Sequence, residues 1–63
     1  MNALVTSLKE SVNNLSVELE KGFNADGSIK NKAAVKRARK ITSDLTKQGK
    51  EFRAESVKAE KGL

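Results

Sequence analysis

The sequence contains no cysteine and no histidine. This absence excludes disulfide bonds, cysteine or histidine zinc sites, thiol nucleophiles and imidazole acid–base chemistry. Proline, tryptophan and tyrosine are also missing, and Phe23 and Phe52 are the only aromatic residues. Without proline, no position forbids a long helix. We therefore predict a helical protein that is not an enzyme and that uses no cofactor, no metal and no small-molecule substrate.

Long apolar runs are missing as well. No segment approaches the roughly 20 apolar residues that span a bilayer, and the first ten residues lack the pattern of a signal peptide. An amphipathic helix on a membrane surface is a weaker option, because the apolar positions are rich in alanine and lack a row of bulky aromatic residues. We expect a soluble, intracellular protein that does not bind membranes.

The chain is too small to bury a large core. It has 63 residues, of which 37% are hydrophobic, so it forms one domain at most. The roughly one dozen apolar side chains that it could bury leave no clear surplus of stability over the conformational entropy lost on folding. A second copy of the chain is the expected source of further burial, so we predict a homodimer.

Apolar spacing predicts an all-α, antiparallel hairpin with a short first helix and a long second helix. Helix 1 covers about residues 2–22, a turn covers 23–28, and helix 2 covers about 29–62. Gly22 is expected to cap helix 1 in the left-handed conformation. Ser28 or Asn31 is expected as the N-cap of helix 2, which we predict to continue through Gly49, where a neighbouring backbone could approach closely.

One apolar row on each helix forms the predicted core and dimer interface. Helix 1 repeats Leu4, Leu8, Val12, Leu15, Leu19 and Phe23 at helical spacing. The residues assigned to the core or the dimer are Leu8, Leu15, Leu19, Ala34, Ala38, Ile41, Leu45, Phe52 and Ala59. Because helix 2 is longer by roughly 20 Å, its end should extend beyond helix 1 and pair with a second chain. The overhanging seam comprises Phe52, Val57, Ala59 and Leu63, and the expected assembly is a dimeric bundle or coiled coil.

Positive charge is concentrated in the second half of the chain. Residues 1–27 hold two basic and four acidic side chains, whereas residues 28–63 hold eleven basic and four acidic ones, so the two net charges are −2 and +7. We give each residue of helix 2 an angle around the helix axis, at about 100° per residue from Ala34. The sector at about 140–240° contains basic residues and Ser43 but no acidic residue. We call its eight cations the basic stripe: Lys32, Lys36, Arg39, Lys40, Lys47, Lys50, Lys58 and Lys61. A row of one sign favours a polyanionic partner over an ordinary solvated face.

The basic stripe suits duplex DNA. Its length of about 45 Å matches the phosphates of a little over a dozen base pairs. Arg37 and Arg39 are the candidates for bidentate phosphate contacts, and no aromatic platform or zinc-finger pattern indicates recognition of bases or single strands. The DNA-binding set also includes Arg37 and Arg53 beside the stripe: Lys32, Lys36, Arg37, Arg39, Lys40, Lys47, Lys50, Arg53, Lys58 and Lys61.

Two polar clusters have ordinary explanations. Glu18 and Glu20 point to different sides of helix 1, so they are not expected to form an acid–base pair. The segment Asn24 to Ser28 has oxygen ligands and a glycine, but it lacks the alternating ligands and final glutamate of a calcium loop. A turn is the simpler reading.

Two segments carry a family resemblance: NKAAVKRARK, Asn31 to Lys40, and EFRAESVKAEK, Glu51 to Lys61. About half of the chain resembles the N-terminal region of small bacterial histone-like proteins, the linker-histone-like nucleoid proteins of chlamydiae. The resemblance implies non-specific binding of double-stranded DNA, with compaction or bridging of the chromosome in the nucleoid of the bacterial cytoplasm. The chlamydial type carries a long tail rich in lysine, alanine and proline, which these 63 residues lack. We therefore expect either that the helical face contributes more of the binding here or that the protein mainly dimerises.

A second interpretation stays open at this stage. The chain could be a structural or adaptor coiled coil whose lysines serve solubility and whose seam from Phe52 to Leu63 binds a protein partner. Mutating Phe52 separates the two hypotheses: an adaptor loses its partner directly, whereas a DNA-binding protein first loses dimerisation.

Overall fold

Two α-helices and one connection make up the structure, a computed structural model that describes residues 1–62. Helix α1 spans Asn2–Gly22 and helix α2 spans Lys32–Lys61. No strand occurs in residues 1–62, where a single isolated antiparallel bridge joins Phe23 and Ile29. The predicted all-helical class is confirmed. The two helices pack along each other in opposite directions, and the longest dimension of the molecule is 47 Å.

Helix α1 ends differently from the prediction. Gly22 is its last residue, and the extended residue Phe23, with φ −129° and ψ 146°, follows as the cap. Gly27, with φ +88°, is the glycine that takes a positive φ in the described chain. The left-handed cap assigned to Gly22 was therefore wrong. Gly22 is instead buried against α2, where an added Cβ would lie 3.2 Å from Val35 Cγ2 and 3.5 Å from Ala34 Cβ. It is needed for close helix approach.

The connection is longer than the sequence indicated. Residues 29–31 were placed in helix 2, but α2 begins at Lys32. Ile29 pairs with Phe23 instead, and the backbone N–H groups of Lys30 and Asn31 donate to the Gly22 carbonyl oxygen at 2.8 and 3.3 Å. These bonds satisfy a free carbonyl at the end of α1 and hold the chain extended up to the start of α2.

Asn31 is the N-cap of α2, one of the two candidates. Its side-chain oxygen accepts hydrogen bonds from the backbone N–H groups of Ala33 at 3.0 Å and Ala34 at 3.2 Å. The helix then continues for 30 residues through Gly49, as predicted. Apart from its two chain neighbours and the surrounding backbone of α2, no atom in the described chain would lie within 4 Å of a Cβ at Gly49, so the close approach expected there does not occur within one hairpin.

The interior contains small residues. Gly22, Ala34 and Ala38 are the buried residues of the two helices, and no large side chain in residues 1–62 is fully buried. Other members of the predicted core are half-buried: Leu8, Leu15, Ile41 and Leu45. Leu19 is 42% exposed, Phe52 is 38% exposed, and Ala59 is exposed. These three do not belong to the core of the single chain. Leu19 is exposed because α1 turns Ser11, Glu18 and Gly22 toward α2, and Ala59 lies on the part of α2 that extends beyond α1.

The register of the hairpin defines the overhang. Gly22 lies against Ala34 and Val35, and Glu18 pairs with Arg37. Extending this pairing at about 1.5 Å per residue places Asn2 level with Ala54. The part of α2 beyond α1 is therefore about two turns long and begins after Ala54. Val57 and Ala59 lie on it, Phe52 falls within the covered length, and Leu63 lies outside the described residues.

Candidate nucleic-acid interface

All thirteen lysine and arginine side chains are exposed, and most of them lie on α2. Because Ala34 and Ala38 face α1, the opposite sector of α2 faces outward, and that sector holds the basic stripe. The helix does not break at Gly49, so the stripe is one straight row from Lys32 to Lys61, about 44 Å long at about 1.5 Å per residue. The fold therefore presents eight cations to one extended partner at the same time.

Side chains near the stripe differ in how they are bound. The Nε of Arg37 donates to Glu18 Oε2 at 2.6 Å, and the Glu18 side chain is only 13% exposed. Arg37 thus lies on the side of the hairpin and joins the two helices. This contact was not foreseen, although both residues were singled out in the sequence. The assignment of Arg37 as a DNA-binding residue stays a prediction. The ion pair with Glu18 competes with a contact between Arg37 and a phosphate.

Lys58 is a residue of the stripe that forms a weaker ion pair with a residue outside it. Its Nζ lies 3.6 Å from Glu55 Oε1, one turn away, and both side chains are well exposed. An exposed pair of this kind contributes about 0–1 kcal/mol, so it does not hold Lys58 away from a phosphate. Arg53 lies at the edge of the stripe, where it lines a shallow depression with Lys50, Gly49, Thr46 and Leu45.

Polar groups organise the connecting turn. The Asp26 carboxylate accepts hydrogen bonds from the Ser28 hydroxyl at 2.6 Å and from the Ser28 backbone N–H at 3.0 Å. These two bonds, the hydroxyl bond first, lower the pKa of Asp26 below its usual value. The Asn24 side-chain amide also donates to the Ser28 hydroxyl oxygen at 2.9 Å. The carboxylate is thus occupied within a turn, as the sequence indicated.

No set of three or more carboxylate, histidine or cysteine side chains in residues 1–62 is placed to hold a metal ion. Over the same range, neither helix is both long and apolar enough to cross a membrane.

Two neighbours of the stripe were missed by sequence reasoning. Ile29 and Lys30 were placed in helix 2 by the sequence analysis, but they precede α2, and both are exposed beside its first turn. Ile29, Lys32, Val35, Lys36 and Arg39 line one depression on the outer surface. The available signal was the apolar residue Ile29 followed by a lysine and an N-cap asparagine.

A small helical hairpin with a one-sided cationic face is a polyanion-binding type of protein. In agreement with this class, the family model described as Histone H1-like protein Hc1 matches residues 2–62. The chain belongs to this family and is a histone-like DNA-binding protein, a kind of protein that acts in the bacterial nucleoid. The family is one of architectural proteins and is not known for enzymes. Comparison with curated proteins and with solved structures finds no match.

Proposed function

We propose that the protein binds duplex DNA through the basic stripe, contacts phosphates without reading bases, and compacts, bridges or bends DNA as a homodimer. The supporting observation is the unbroken helix α2, which presents eight exposed cations in a sector without acidic residues. Lysine and arginine side chains on such a row neutralise phosphates and release counterions. Family membership supports the same choice of partner.

The salt dependence of affinity tests this proposal. The logarithm of the binding constant for a random duplex of about 30 base pairs should fall with a slope near −0.9 for each phosphate neutralised. We expect a slope equivalent to about five or more phosphates and similar values for duplexes of unrelated sequence. A slope equivalent to one or two phosphates, or strong sequence preference, would contradict binding by the stripe.

The homodimer requires an interface. One side of the hairpin exposes more large apolar side chains than the C-terminal overhang does, and it is therefore the better candidate. This side of the hairpin, at about 60–100° from the inward face of α1, carries an apolar row. We call this row, together with two residues of α2, the apolar side: Met1, Val5, Val12, Leu19, Phe23, Val35 and Thr42. Met1 is 49%, Val12 57% and Leu19 42% exposed. One open groove between the helices is lined by four of these residues, Leu19, Phe23, Val35 and Thr42, together with Leu15, Ala38 and the stripe residue Arg39 at its edge.

A second copy fits the apolar side for two reasons. A hairpin whose buried helix residues are one glycine and two alanines has little core of its own, so covering this side would supply the missing burial. The opposite side is polar and carries the Glu18–Arg37 pair together with Asp44 and Glu51. Pairing through the apolar side would leave the two basic stripes facing outward, which would allow one dimer to hold two duplexes.

A further inference from the structure

We infer that Ile29 is a wedge that enters a base step of the bound duplex and bends it. This inference deepens the proposed function and rests on it, since a wedge acts only where the stripe binds DNA. It gives a function to the connection between the helices, which contributes no residue to the stripe.

Ile29 has an unusual position for an apolar side chain. It is 53% exposed, and it shares a depression with Lys32, Lys36 and Arg39, the first three cations of the stripe. Val35, at the edge of the apolar side, also lines this depression. Lys30 follows it directly. A duplex that lies along the stripe would reach Ile29 where its phosphates are held by these cations. Architectural proteins insert isoleucine, leucine, phenylalanine, methionine or proline side chains from such basic surroundings into the minor groove.

The backbone under Ile29 is well supported. Residue 29 forms the antiparallel bridge with Phe23, and the next two N–H groups donate to the carbonyl oxygen of the buried Gly22. Asn31 then caps α2. A side chain on a freely moving loop would be pushed aside by a stacked base pair. A side chain whose backbone is bonded to both helix ends keeps its position when the cations bind the phosphates, so it can enter the base step.

The other exposed large apolar residues do not share this setting. Met1, Val12 and Leu19 lie on the apolar side, Val17 lies on the outer face of α1, and Phe52 borders the inward row of α2. Val57 lies within the sector of the stripe, but it is a short side chain on a regular helix and valine is not among the usual wedge residues.

The energetics indicate which observable should change. Unstacking a base step costs about as much free energy as burying an isoleucine side chain returns. Removing the wedge should therefore change the shape of the DNA more than the affinity. A step that is already weakened, such as a mismatch, lowers the cost, so the wild-type chain should prefer it.

Two measurements on the full chain test the wedge. Energy transfer between dyes at the ends of a duplex of about 30 base pairs reports bending, and competition reports the preference for a duplex with a central mismatch over its matched form. For the wild-type chain we expect a bend within the range of about 20–90° seen for wedge-inserting proteins and a preference of about threefold or more for the mismatch. Ile29→Ser should lose at least half of the bend and all of the preference, while its affinity for matched DNA changes by less than about threefold.

Two variants serve as controls. Ile29→Met keeps a wedge of similar size and should bend DNA like the wild-type chain. Val17→Ser removes an apolar side chain that is also exposed, at 40%, but lies far from the stripe, and it should bend DNA normally. Circular dichroism and sedimentation should show the same helix content and assembly for all variants.

Each outcome decides a separate point. DNA binding with no bend, or an equal bend with Ile29→Ser, would overturn the wedge and leave the proposed function intact. Absence of DNA binding by the wild-type chain would overturn both. A bend and a mismatch preference that disappear with Ile29→Ser and return with Ile29→Met would establish the wedge.

Discussion

The two ends of the hairpin are packed in different ways. At the tip, which we define as Glu18–Ala38, small residues let the helices touch and a short ion pair joins Arg37 to Glu18. At the open end, Leu45–Lys61, no residue is buried, and Gly49 has free space around it. This difference shows that the helices of one chain bury residues against each other only at the tip. The open end therefore has little burial within one chain, whereas the basic stripe extends along both ends.

The largest effect is expected from breaking the assembly that would cover the apolar side. Val12→Asp with Leu19→Asp places two carboxylates on it and forfeits about 1.5–3 kcal/mol of burial for each side chain. The dimer dissociation constant measured by sedimentation should rise by more than about 100-fold. Thermal unfolding should also lose its concentration dependence.

Val17→Asp is a control for this experiment. Val17 is 40% exposed on the outer face of α1, so a carboxylate there should leave the dimer unchanged. Equal weakening by Val17→Asp, or unchanged association of the double variant, would place the interface elsewhere, with the C-terminal overhang as the next candidate.

Replacing a glycine by valine at each end tests the difference in packing between the tip and the open end. Gly22→Val directs a branched side chain at Val35, 3.2 Å from where the Cβ would lie, and should destabilise the fold by about 1–3 kcal/mol. Gly49→Val enters open space and should be neutral or stabilising by a few tenths of a kcal/mol, since valine has the higher helix propensity. Urea unfolding followed by circular dichroism measures both. A large loss at Gly49 would mean that a second backbone lies against this position.

A polar defect near the boundary of the open end should be removable. Gln48 is half-buried, and its side-chain oxygen is buried without a hydrogen-bond partner in residues 1–62. An unsatisfied group of this kind costs about 1–3 kcal/mol. Gln48→Leu should therefore stabilise the protein by about 1 kcal/mol in urea unfolding. A loss of stability would show that the oxygen has a partner in the assembled protein.

The smallest effects are expected from the two ion pairs, one at each end. Glu18→Gln weakens a short contact made by a mostly covered carboxylate and should cost about 0.5–1 kcal/mol. Glu55→Gln affects a 3.6 Å contact between exposed groups and should cost less than about 0.3 kcal/mol. Urea unfolding at low and high salt compares them, and an equal cost for the two variants would contradict the difference in burial.

Much of the architecture could be predicted because it depends on local patterns. The apolar spacing, the absence of proline and the turn residues predicted two helices, and the sequence placed Asn31 among the caps of α2. The start of α2 was wrong by three residues, because the hydrogen bonds from Lys30 and Asn31 to Gly22 join positions about eight residues apart and leave no periodic signal.

The site was predictable to a different degree. The basic stripe needs only one continuous helix, so counting by angle located its residues. The pairing of Arg37 with Glu18 depends on the register between the helices, which the sequence of either helix alone does not specify. The inward position of Gly22 and the exposure of Leu19 have the same origin, since each depends on how α1 is rotated against α2.

The most direct test of the account is a comparison of salt slopes for variants that remove equal charge from two places. Lys32→Gln with Lys36→Gln lies on the stripe, whereas Lys9→Gln with Lys21→Gln lies on the exposed surface of α1. For binding to a random duplex, the account predicts that the first pair reduces the slope by about two phosphate equivalents, near 1.8, and that the second pair changes it little. Equal reductions by the two pairs would contradict the central claim, because they would mean that net charge attracts DNA and the stripe does not hold it.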